Sequence, residues 1–121
     1  MSNYQAPLRD MRFVIHELVE SAPICALPAY ADCDAELIDA VLEEAARFAG
    51  DVLSPLNPVG DRDGARWLAG ADGKGEVRTA AGFADAYTQF AEGGWMALPC
   101  PPDYGGQGLP RLLAVAVSEM W

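Results

Sequence analysis

The sequence predicts an all-α fold, on three observations. Apolar residues recur at helical spacing in four separate stretches. Those stretches are bounded by the acidic, proline and glycine residues that start and stop helices. With 121 residues, 51% apolar and 21% charged, the chain is long enough for one core and too apolar to be disordered. We expect about four helices in one domain over 1–121, with a glycine-rich loop or small hairpin between the second and third.

The first helix is predicted from about Asp10 to about Glu20. Asp10 is its expected N-cap, because a carboxylate accepts from the free amides of a first turn. Met11, Val14, Ile15, Leu18 and Val19 form the apolar face, and Arg12, His16 and Glu20 share the polar side. Phe13 points away from the apolar face, as a lone exposed aromatic or as a contact for a part of the protein outside this chain. Pro23, Pro28 and the small residues of 21–31 read as a linker. The second helix runs from Asp34 to about Leu53, about 30 Å at about 1.5 Å per residue. Leu37, Ile38, Val41, Leu42, Ala45, Phe48, Ala49, Val52 and Leu53 cover one half of it. Asp39, Glu43, Glu44, Arg47 and Asp51 cover the wet half, with Glu43 and Arg47 as an expected i,i+4 pair. Ser54-Pro55 is the expected stop, since the residue before a proline is pushed out of the α region.

Residues 57–78 are glycine-rich and charged, and read as either a small hairpin or an irregular surface loop. Arg66-Trp67-Leu68 and Glu76-Val77-Arg78 are the arms of that hairpin. The third helix is predicted over Ala80–Glu92, capped by Thr79 and stopped by Gly93-Gly94. Its inner face is Phe83, Ala86, Tyr87 and Phe90, with Trp95, Met96 and Leu98 following as an apolar anchor. The fourth helix starts near Pro110 and is apolar nearly all round, with Arg111, Ser118 and Glu119 as a narrow polar stripe. A helix apolar on every side is expected to be buried on every side, so it belongs at the centre, with the second and third helices against it. The pattern reaches Trp121 without a glycine or a basic last turn, and reads as cut within that helix.

Charge excludes some functions. The chain carries 18 Asp and Glu against 8 Lys and Arg, a net charge of −10. It therefore repels nucleic-acid phosphates and anionic membrane surfaces. No apolar run approaches the ~20 residues of a membrane span. The N-terminus lacks a basic stretch followed by an apolar one, so no signal peptide is expected and the location is read as cytoplasmic. Cys25, Cys33 and Cys100 are odd in number and form no C-x-x-C pair, which points to free, buried or half-buried thiols.

Pro102-Asp103-Tyr104-Gly105-Gly106-Gln107-Gly108, followed by a helix reaching Ser118-Glu119, resembles the P-x-x-Y-G-G-x-G turn of acyl-CoA dehydrogenases. The opening block Tyr4-Gln5-Ala6-Pro7-Leu8-Arg9-Asp10-Met11-Arg12-Phe13 is similar to a longer branch of that family. That branch includes bacterial long-chain-type enzymes and those acting on 3-methylthiopropanoyl-CoA. Leu53-Ser54-Pro55-Leu56-Asn57 and Phe90-Ala91-Glu92-Gly93-Gly94-Trp95 fit it too, so the likeness covers nearly the whole chain. Asp103, where glutamate is common, and Cys100, where another small residue is usual, are small departures.

The resemblance implies the N-terminal helical domain of an FAD-dependent enzyme. Family members remove a proton and a hydride from the α and β carbons of an acyl-CoA thioester. A glutamate is the base, the flavin takes the hydride, and an electron-transfer partner reoxidises it. The base and most flavin contacts lie in the later two domains of the family. No catalytic, cofactor-binding or metal-ligating residue is therefore carried over to this chain, and alone it is expected to be inactive and colourless. The alternative is a stand-alone acidic helical interaction or dimerisation module that needs no flavin. In either case the greasy last helix predicts self-association.

The remaining motifs have simpler readings than chemistry. Gly105-Gly106-Gln107-Gly108 precedes a helix, where amides and the helix dipole can hold a phosphate. It lacks the Gly-Lys-Ser/Thr of a Walker loop, and the prolines before it preclude a central strand. It is expected to be a tight turn with Tyr104 packed against it. His16 is expected to be a solvated surface residue rather than a proton-transfer group. Asp61, Asp63 and Asp72 lack the twelfth-position glutamate of a calcium loop. Glu119 must pair, with Arg111, Ser118 or a group outside the chain, where it is buried, and otherwise faces solvent.

Overall fold

The computed structural model describes residues 4–71 and 73–121. The chain is mostly helical, as expected, but the helices begin and end in different places. Helix α1 (Leu8–Phe13) follows Pro7, whose carbonyl accepts from Met11 N at 3.0 Å. Asp10 therefore lies inside the first turn and caps nothing, although its charge still suits the positive end of the helix. Proline takes the starting position because it has no amide to leave unpaired.

After Phe13 the helix widens to a π turn over Val14–Leu18, where Val19 N donates to Val14 O at 2.9 Å. The extra residue per turn shifts the buried stripe. Met11 and Ile15 are buried, while Val14, Leu18 and Val19 of the expected apolar face are exposed. Phe13 is exposed as well. Glu20 closes this segment with φ 57°, the one non-glycine residue in the left-handed region among those described.

The supposed linker contains helix α2 (Ser21–Cys25) and a 3-10 turn over Pro28–Tyr30. The small residues and prolines predict a linker, but Pro23 and Pro28 each stand early in a helical turn, where a missing amide costs nothing.

Helix α3 (Ala35–Phe48) is capped by Asp34, whose Oδ1 accepts from Leu37 N at 2.8 Å. It continues as a π turn over Ala49–Leu53, so the predicted span holds. The predicted stop does not. Ser54 keeps helical angles, and the chain runs through a 3-10 turn (Ser54–Leu56) into helix α4 (Asn57–Asp63). Passing from wide to tight turns breaks the regular i→i−4 ladder just where Pro55 lacks a donor, so its ring is accommodated.

Strands β1 (Arg66–Ala69) and β2 (Gly75–Arg78) then form an antiparallel hairpin, with Trp67 opposite Val77 and Leu68 opposite Glu76. Of the two readings left open by the sequence, the hairpin is the observed one. Asp72 lies outside the described residues.

Helix α5 (Phe83–Glu92) starts three residues later than expected, and Thr79 does not cap it. Gly82 occupies the cap position with φ 85°, which no helix interior tolerates. The Leu56 side chain fills the space beside it, so a Cβ there would lie 2.7 Å from Leu56 Cδ2. The helix ends at Gly93-Gly94 as predicted. Of the expected anchor, Leu98 is buried and Trp95 half-buried, but Met96 is 77% exposed.

Helix α6 (Arg111–Ser118) follows Pro110. It packs on α3, as does α1, so α3 rather than the last helix is the shared element. Ile38, Leu42, Ala45 and Ala49 of α3 and its extension are buried with Met11, Ile15, Leu98, Leu109, Leu113, Val117 and Met120. Only one side of α6 is covered. Leu113 and Val117 are buried, while Val115, expected inside, is 70% exposed.

Candidate functional site

Between α1 and α3 the structure joins five polar side chains. Arg12 and His16 come from α1 and its extension, Asp39 and Glu43 from α3, and Ser21 from the start of α2. His16 Nε2 lies 2.9 Å from Asp39 Oδ1, and His16 Nδ1 lies 2.9 Å from Ser21 Oγ. Arg12 Nε is 3.3 Å from the same Asp39 oxygen, and the Arg12 guanidinium donates to Glu43. The hydrogen bond to Glu43, with Asp39 nearby, raises the Arg12 pKa further above its ordinary value.

Two expectations change here. His16 is not a solvated surface residue; its side chain is 22% exposed and bridges two elements. Glu43 does not pair with Arg47 but reaches across to Arg12, and Arg47 pairs with Glu44 instead. The signal was present in the sequence as two i,i+4 pairs of complementary charge, Arg12/His16 and Asp39/Glu43, on successive helices. The Ser–His–Asp set is not a nucleophilic site. Ser21 is 4% exposed, so a substrate carbonyl cannot reach its oxygen. The set fastens α1 to α3.

The amides of the glycine turn are already engaged, so the turn itself offers none to a phosphate. Gly105 N donates to Pro102 O, Gly106 N to Pro101 O, Gln107 N to Ala97 O, and Gly108 N to Cys100 O, at 2.9–3.1 Å. Leu109 N donates to Leu98 O at 2.9 Å, and Pro110 has no amide hydrogen. The expected tight turn is therefore observed, without its expected packing residue: Tyr104 is 86% exposed.

A large open groove lies at the other end of α3, with a volume of about 1150 Å³. Its walls are Leu53 and Leu56 after α3, Pro58 on α4, Phe83, Ala86, Tyr87 and Phe90 on α5, and Met120 and Trp121 at the C-terminal end. Tyr4 closes one side, with its amide donating to Ser54 Oγ at 3.1 Å. Burial, with the Glu119 charge, raises the Tyr4 phenol. Glu119 itself faces solvent. Trp121 stands edge-on to Phe48, Phe90 and Trp95, with ring centroids 5.3–6.1 Å apart.

The sequence reading missed this groove. Phe83 and Tyr87, expected on the inner face of their helix, are exposed and line an open groove. Periodicity locates an apolar face but not whether anything covers it. Asp61 also reaches the groove. Asp63 is held by two bonds from Arg62, at 2.9 and 3.1 Å, which lower its carboxyl pKa. Among the described residues no three His, Cys, Asp or Glu side chains are grouped to hold a metal, and no helix is long and apolar enough to cross a membrane.

No protein-family model matches the chain. The 3-methylmercaptopropionyl-CoA dehydrogenase of Ruegeria pomeroyi is 38% identical to it over 117 residues. That match covers 97% of this chain and 19% of the relative, so the chain spans about a fifth of the length of the curated protein it resembles. The similarity to that dehydrogenase runs along nearly the whole of this chain.

Proposed function

We propose that this chain is the N-terminal helical part of an FAD-dependent acyl-CoA dehydrogenase, and that it shapes and supports the enzyme rather than performing its chemistry. The observation that carries this reading is 38% identity sustained along 97% of the chain. In the whole enzyme, an acyl-CoA thioester loses a proton and a hydride, and an electron-transfer partner takes the electrons onward. The cytoplasm is the proposed location.

In this reading neither the glycine turn nor the groove is the seat of the flavin dinucleotide. Its pyrophosphate needs free amides or cations, but the amides of the glycine turn are spent and the charged residue lining the groove is Asp61. In this reading FAD binds to the remainder of the enzyme, and the apolar groove and the outer side of α6 are faces for that remainder. A second reading, a stand-alone interaction module, is favoured by the exposed Val115, Tyr87 and Met96, which also favour self-association of the chain alone.

Two preparations test the proposal. The 121-residue chain should be colourless and should reduce no dye with acyl-CoA; stoichiometric FAD in it would overturn the division of labour. A protein joining this segment to the remaining four-fifths of such an enzyme should bind flavin and reduce dye. The relative's name makes 3-methylmercaptopropionyl-CoA the first thioester to try. A flavin-free, inactive joined protein would favour the interaction module.

A further inference from the structure

Cys25 closes α2 and is half-buried, while Cys33 is buried in the core cluster just before the Asp34 cap. Three successive short turns fold the chain between them. Leu27 N donates to Ile24 O, Tyr30 N to Leu27 O, and Cys33 N to Tyr30 O, at 2.8–3.1 Å. They bring Cys25 Sγ to 3.7 Å from Cys33 Sγ. A disulfide needs the sulfurs at about 2.05 Å, so side-chain torsion must close a gap of about 1.7 Å. Cys100, the third thiol, belongs to the glycine turn and is half-buried.

We infer that Cys25 and Cys33 form a redox-responsive dithiol, which a low-molecular-weight disulfide oxidises to an internal bond that staples α2 to the start of α3. This does not depend on the proposed enzymatic role.

The reaction has a defined order. Cys25, the more accessible thiol, attacks first as its thiolate and displaces one thiolate from the small disulfide, leaving a mixed disulfide. Cys33 then gives up its proton and attacks the Cys25 sulfur, expelling the second small thiolate. Two protein thiols are oxidised, one small disulfide is reduced to two thiols, and the two protein protons end on those thiols. Burial and the adjacent Cys25 and Asp34 push the Cys33 thiol up to about 11. Cys33, buried where Cys25 is only half-buried, is the resolving and not the attacking residue.

The test is to incubate the reduced, folded chain with oxidised glutathione, alkylate the remaining thiols, and map the peptides by mass. The expected product lacks two hydrogens, links the Cys25 and Cys33 peptides, and carries alkylated Cys100. Cys33→Ser should instead accumulate a stable glutathione adduct on Cys25. Three results overturn the inference: a persistent adduct on Cys25 in the natural chain, a link through Cys100, or thiols that react only after unfolding in urea. The natural-chain experiment stands even where the variant fails to fold.

Discussion

Replacing Gly106 with alanine should cost more than any other single methyl group added to the glycine turn. Its backbone lies against the Cys100 peptide, so a Cβ would fall 2.0 Å from Cys100 O and 2.3 Å from Cys100 C. Ordinary contact is more than an ångström longer, and the obstacle is backbone rather than a flexible side chain. Opening the gap displaces Cys100 O from Gly108 N and Gly106 N from Pro101 O. Two backbone hydrogen bonds at about 1 kcal/mol each, with about 1–3 kcal/mol of overpacking strain, sum to about 3–5 kcal/mol. A domain of this kind has only about 5–15 kcal/mol to lose. Gly105 is the control. Its φ is 79° but no atom lies within 4 Å of its missing Cβ, so Gly105→Ala should cost only about 1–2 kcal/mol. Urea unfolding followed by tryptophan fluorescence and circular dichroism measures both. A Gly106→Ala chain within 1 kcal/mol of the natural one, or one more stable than Gly105→Ala, would refute the reasoning.

Two further outcomes follow from the same geometry. Asp34→Ala should destabilise the chain by about 1 kcal/mol, because Leu37 N loses its acceptor, whereas Asp10→Ala should cost a few tenths, since Asp10 caps nothing; thermal melts of the two variants decide it, and equal effects would contradict the placement of the caps. Stability should also fall in alkali through Cys33. Its thiol is raised from 9.0 to about 11, so the folded chain keeps a proton that the unfolded chain releases. The contribution is intact below about pH 9 and is lost as pH rises to about 11, a loss on the order of 1–3 kcal/mol. Urea midpoints across that interval should drop more steeply for the reduced natural chain than for Cys33→Ala, and parallel slopes would count against it.

The parts of the fold legible in the sequence were those that local chemistry decides. The long helix from Asp34 to Leu53 declared itself because an acidic cap precedes many residues of strict helical period. The all-α class and the stop at Gly93-Gly94 followed in the same way. Prolines misled, because Pro23, Pro28 and Pro55 sit where a helix begins or changes pitch, and sequence alone does not distinguish a starter from a breaker. Glu43 shows a second limit. A neighbour four residues along its own helix was visible, whereas the Arg12 that takes it is brought near only by packing. The groove shows a third, since Phe83 and Tyr87 have the same helical spacing whether their face is open or shut.

The widened turns at Val14–Leu18 and Ala49–Leu53 have a consequence for how this chain tolerates changes in length. Each accommodates one surplus residue without leaving the helix. Removing one residue from either would restore a regular spiral there and leave the rest of the chain in its present phase, whereas a deletion within the regular part of α3 would turn everything after it by about 100°. Loops usually absorb insertions and deletions, but here two stretches that look like plain helix can do the same.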